Sequence, residues 1–167
     1  INTATPVTQN INNNIFTGIT INSTGAISAI SSAVLAPNKL ISGNIFTSIT
    51  GGTGDMEMIS TTGGSTLAIV RNNNIGNNVA NSINGAGNLI GIYLLSGGAV
   101  TADSNIITGL NIAGDTISLH AILAKSQTIT IKDNNINNLS MVGDFSSLYG
   151  VYVVSSGNAN VSENTIH

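Results

Sequence analysis

The chain has 167 residues, no Cys and no Trp, with 41% apolar and only 7% charged positions, where an average soluble domain carries roughly 25% charge. Apolar content with a net charge of −3 excludes a disordered chain; four Lys and Arg exclude a nucleic-acid surface; the absence of Cys excludes disulfides and thiolate zinc sites. No apolar run approaches the 18 residues of a membrane span, and Ile1-Asn2-Thr3-Ala4-Thr5-Pro6 is not expected to belong to a signal peptide.

In chain order, the first recognisable unit is Asn13-Asn14-Ile15-Phe16-Thr17-Gly18-Ile19. It returns as Gly43-Asn44-Ile45-Phe46-Thr47-Ser48-Ile49, then as Asn73-Asn74-Ile75, Ser104-Asn105-Ile106, Asn134-Asn135-Ile136 and Asn164-Thr165-Ile166. The steps between the isoleucines are 30, 30, 31, 30 and 30 residues, the signature of a structural repeat. A third apolar position follows the first five isoleucines by three or four residues: Ile19, Ile49, Val79, Leu110 and Leu139. Before the isoleucines lie alternating runs such as Ala68-Ile69-Val70-Arg71, Thr128 to Lys132 and Ala159 to Ser162, which read as short strands of period two. A further run precedes most anchors: Gly91-Ile92-Tyr93-Leu94-Leu95, Ala121-Ile122-Leu123-Ala124 and Gly150-Val151-Tyr152-Val153-Val154, with Ile30 to Val34 and Met56 to Ile59 as looser counterparts. Gly, Ser, Thr and Asn fill the turns between. Helical repeats are excluded, because β-branched residues, Asn and Gly are poor helix formers and the runs lack period 3.6.

These elements predict an all-β chain wound as a parallel β-helix (β-solenoid), with about five coils of 30 residues and three short strands per coil. Residues 1–167 form a single segment of it, either part of a longer solenoid or an uncapped unit that stacks on others. Ile15, Ile45, Ile75, Ile106, Ile136 and Ile166 are expected to line one axial file. Apolar-x-x-Asn-x-Ile, as in Val161-Ser162-Glu163-Asn164-Thr165-Ile166, together with Gly-Ile-Tyr and Gly-Val-Tyr, resembles the repeats of right-handed parallel β-helices of the pectate-lyase-like superfamily and of large bacterial surface proteins of Bacteroidetes type. The resemblance implies a right-handed coil; that superfamily includes polysaccharide lyases, hydrolases, adhesins and stalks.

Stacked coils place like side chains above one another, which penalises charge and favours amides that donate to one neighbour and accept from the other. Asn14, Asn44, Asn74, Asn105 and Asn135 form one such column, and Asn13, Gly43, Asn73, Ser104, Asn134 and Asn164 the next. Alternation places the second column inward, with Gly43 interrupting it; the column adjoining the isoleucines is the one expected to hold left-handed turns, which Asn tolerates. Asp103, Asp133 and Glu163 are expected to stack along one edge, where carboxylates repel unless a cation such as Ca²⁺ bridges them. The resemblance implies Ca²⁺ and a basic residue for a lyase, but Lys132 should point to the opposite side from Asp133 or lie in the turn. His120 lacks a nucleophile context, and the Gly-rich segments 51–54 and 84–88 read as loops bulging outward. Tyr93, Leu123 and Tyr152 predict an apolar outer stripe, covered either by a loop or by another copy or domain. Phe16 and Phe46 form a shorter aromatic stack.

The functional expectation is a structural segment of an extracellular or cell-surface bacterial fibre or giant adhesin. It is non-enzymatic, without a cofactor, and associates end to end or laterally with other copies or further coils. No nucleic acid or membrane insertion is expected. The alternative is a carbohydrate-active β-helix, a polysaccharide lyase or a glycan-binding module.

Overall fold

A computed structural model describes residues 8–22, 24–144 and 146–167. These residues contain strands and turns and no helix. The chain winds as a parallel β-solenoid of about five turns, with three faces. The first face stacks Thr8–Asn12, Asn38–Ser42, Leu67–Arg71, Ala99–Asp103 and the segments 128–132 and 158–162. The second begins with Ile15–Thr20 and Ile45–Thr50 and continues through shorter strands up to Thr165–Ile166. The third stacks Ile27–Ser32, Met56–Thr61, Leu89–Leu95 and the segments 118–125 and 147–154. The long strands Ser118–Lys132 and Ser147–Ser162 run through the corner between the third and first faces, which merges them into one nine-stranded sheet.

Period-two alternation places one side of each strand in the lumen. Ile41, Val70, Ala102 and Ile131 stack on the first face, and Ile59, Ile92 and Ile122 on the third, all buried. On the second face the inward file is Phe16, Phe46, Ile75, Ile107, Ile136 and Ile166. This corrects the expected file of isoleucines. Ile75, Ile136 and Ile166 belong to it, whereas Ile15, Ile45 and Ile106 lie one residue away in a file with Asn74 and Asn135 that faces outward. Ile15 is accordingly 69% exposed. A one-residue slip exchanges inside for outside, so coils reading Asn-Ile-Phe or Asn-Ile-Ile contribute the residue after their first Ile, and coils reading Asn-Asn-Ile contribute the Ile itself. Phe16 and Phe46 stack with centroids 4.9 Å apart and planes 3° from parallel, as luminal rather than surface residues.

Val79 is a second correction: it is exposed, and Ile83 takes its place between Ile49 and Leu110. The third coil carries a longer turn at this corner. Gly76 opens it at φ 88° with its Cα so close to the Thr108 carbonyl that a Cβ would overlap that oxygen. The glycines of segments 51–54 and 84–88 also differ from outward bulges. Gly54 and Gly87 are buried at a corner, and a Cβ on Gly87 would meet the carbonyl of Gly54 one coil below.

Candidate functional site

Three places gather polar or reactive side chains: the corner between the first and second faces, the lumen of the first two coils, and the outer surface of the third face.

At the first corner an amide ladder climbs the whole solenoid. Asn14 donates its backbone N–H and Nδ2 to Asn44 Oδ1, and the same pair of bonds links Asn44 to Asn73, Asn73 to Asn105, Asn105 to Asn134 and Asn134 to Asn164, all between 2.8 and 3.0 Å. Each Nδ2 from Asn44 onward also donates to a carbonyl of the preceding coil, as Asn105 does to Val70. The ladder therefore mixes the two columns read from sequence. Asn14, Asn44 and Asn105 belong to it, Asn74 and Asn135 face outward instead, and Asn73, Asn134 and Asn164 complete it. Gly43 does not interrupt it. The residue before each rung forms a separate column, Asn13, Gly43, Asn72, Ser104, Asp133 and Glu163, in the left-handed conformation with φ between 53 and 65°. Asn and Gly tolerate that region best. The ladder satisfies the turn's buried N–H groups in a parallel stack.

That register also separates the acidic residues. Asp103 stands between Arg71 and Lys132 on neighbouring strands, not above Asp133. Asp133 and Glu163 occupy the left-handed column beside it. Lys132 lies against both sides, with Nζ 3.8 Å from Asp103 and 3.1 Å from Asp133, so its side chain does not point away from Asp133. The hydrogen bond to Asp133, then the charge of Asp103, raises the Lys132 pKa above its ordinary value. Alternating signs relieve the repulsion expected of a single acidic column. Among the described residues no group of three His, Cys, Asp or Glu side chains converges as metal ligands do.

In the lumen, sequence reading missed Lys39. Its side chain is buried, with Nζ 2.8 Å from the Ser32 carbonyl and 2.5 Å from the Thr62 carbonyl. Ser32 Oγ pairs with Gln9 Oε1, while Thr61 Oγ1 is buried with no partner among the described residues. Desolvation lowers the Lys39 pKa. Lys39 reads as surface charge by residue type, but period two fixes it as inward, since Ile41 two positions on is a core residue. Its corner otherwise carries serines: Ser65 Oγ contacts Ser96 Oγ at 2.7 Å, and Ser126 Oγ bonds the carbonyls of Ser96 and Gly98. The remaining corner has its own ladder, in which Asp55 Oδ1 accepts from Asn88 and Asn88 Oδ1 from Ser118.

On the outer third face, Tyr93, Leu123 and Tyr152 stack in register as the sequence predicts. Beside them run Ile90, His120 and Tyr149 in one column and Leu95, Lys125 and Val154 in another. His120 lies parallel to Tyr149, with centroids 4.7 Å apart, and edge-on to Tyr152 at 5.5 Å. Tyr149 and Tyr152 are themselves 5.0 Å apart. His120 is thus no isolated histidine; sequence spacing hid this because Tyr149 is one coil distant. Burial, then the charge of Lys125, lowers the His120 pKa, and its Nδ1 is buried without a partner among the described residues. Lys125 Nζ sits 5.9 Å from the Tyr93 ring centroid, a cation–π distance. Tyr149, Tyr152, Val154 and Leu95 remain 36 to 48% exposed, so no described residue covers them. Comparison with protein-family models, with curated proteins and with solved structures finds no match to this chain.

Proposed function

We propose that the chain is a structural rod: a β-solenoid segment of an extracellular or cell-surface bacterial fibre or giant adhesin, related to the pectate-lyase-like β-helices and without catalysis in this segment. The observation that carries the reading is the amide ladder, which keeps one hydrogen-bond polarity from Asn14 to Asn164. Such a ladder spends the polar residues on joining coil to coil. The corner serines and the Asp55–Asn88–Ser118 ladder act likewise. Negative-stain micrographs and small-angle scattering test it: elongated particles that form filaments or lateral bundles support a fibre element, and compact globular particles at every concentration refute it.

A second reading is a carbohydrate-active module, favoured by the exposed cluster of His120, Tyr149 and Tyr152. Binding or cleavage in a screen of acidic and neutral polysaccharides, with and without Ca²⁺, supports this reading; silence across the screen returns the balance to the rod.

A further inference from the structure

The apolar stripe on the third face has an order that its composition alone conceals. Along the solenoid axis, the coil bearing Ile90, Tyr93 and Leu95 precedes the coil bearing His120, Leu123 and Lys125, and the coil bearing Tyr149, Tyr152 and Val154 follows. The outer coils match column by column: a large apolar group in the first, Tyr in the second, a branched aliphatic in the third. The central coil is different, and its Leu123 lies nearly flush between the two tyrosines at 6% exposure. Over these three coils the pattern thus reads the same up the axis as down it. The next coil towards the N-terminus closes it with Glu57 beside Ile90 and Ser60 beside Tyr93.

A pattern that is its own reverse is what a two-fold interface requires, because the same patch must complement itself. We propose that two copies of this chain pair face to face through this stripe, related by a two-fold axis lying along the central strand over Leu123, with solenoid axes antiparallel. Tyr93 of each copy then meets Tyr152 of the other, Leu95 meets Val154, and Ile90 meets Tyr149, with only His120, Leu123 and Lys125 facing their own counterparts. Parallel axes would oppose different columns of each coil and lose this matching. Lys125 leans over the Tyr93 ring, which draws its charge off the central strand. Burial, then the charge of Lys125, disfavours the charged form of His120.

Size sets the strength. Seven strand residues by three strands span roughly 330 Å² per copy, well under the ~800 Å² per partner of a stable complex. Pairing of single chains is therefore weak and reversible, and it gains strength where many segments are held side by side. This inference rests on the self-associating rod reading and names its lateral contact.

Sedimentation equilibrium of the full chain up to about millimolar concentration tests it. The expected result is a reversible monomer–dimer equilibrium. Tyr93→Lys and Tyr152→Glu should each weaken it at least tenfold while circular dichroism still reports the folded β-solenoid, and the double variant should restore pairing, because each introduced cation meets an introduced anion across the axis. Should Tyr93→Lys unfold the chain, Leu95→Glu with Val154→Lys poses the same question. A wild type that stays monomeric, single variants that pair normally, or a double variant no better than its parents overturns the proposal. Micrographs of the wild type distinguish the two levels: filaments formed by a chain that never dimerises in solution preserve the rod and overturn the lateral contact, and absence of every assembly refutes both.

Discussion

At the scale of single residues, what a side chain contributes depends on the column it occupies. Asn105 accepts two bonds from Asn73 and gives two to Asn134, all buried, so Asn105→Ala strands the Asn73 N–H and also loses the bonds of its own Nδ2 to Asn134 and to the Val70 carbonyl. At about 1–3 kcal/mol for each buried unsatisfied group, we expect a loss of roughly 3 kcal/mol in urea unfolding. Asn14→Ala, on an exposed rung, should cost under ~1 kcal/mol by the same measurement. Lys39 and His120 add pH dependence of one sign. Both have folded pKa values below their ordinary 10.5 and 6.5, so the unfolded chain binds more protons and stability rises with pH between the folded and unfolded values. For His120 the stability present above pH 6.5 is lost as pH falls through the lower folded value. His120→Phe, which keeps a ring against Tyr149, should flatten that slope in denaturation series below pH 6.5. Lys39→Met should flatten the slope in the alkaline range below pH 10.5, where wild-type stability climbs as the ammonium discharges.

At the scale of elements, the strands were legible and the register of the third face with them, but the register of the second face was not. Alternation such as Ile129-Thr130-Ile131 sets which faces of one strand are alike without reference to any other strand. The pairing of Ile45 with Asn74, and of Phe46 with Ile75, depends on how many residues the intervening turns absorb. The true ladder steps are 30, 29, 32, 29 and 30 residues, and the motifs Asn-Asn-Ile and Asn-Ile-Ile match either alignment of a shared Ile equally well. The same slip turned Asp103 from a companion of Asp133 into the partner of Lys132. Turns decide such counts, and Gly76 shows how tightly. Positive φ and contact with the Thr108 carbonyl together predict that Gly76→Ala destabilises by about 2–3 kcal/mol or more, against less than ~0.5 kcal/mol for Gly97→Ala, where a Cβ meets open space. Paired thermal melts check the contrast.

At the scale of the whole molecule, each coil touches chiefly its two neighbours, so stability accumulates nearly as a sum over coils and interfaces. Removal of residues 74–105 joins Asn73 to Ile106 and leaves a solenoid one coil shorter with its ladder in phase. That deletion should fold, melt at lower temperature and keep its β circular dichroism, whereas removal of half as many residues should abolish cooperative melting. The sequence by itself determined the solenoid, because period-two strands, turn residues and a 30-residue recurrence are local properties of the chain. Tertiary structure alone decided which asparagines and isoleucines enter the tube, and that His120 stands against Tyr149 and Tyr152. Those outcomes depend on contacts between residues a coil apart, and a one-residue difference in a turn reverses them.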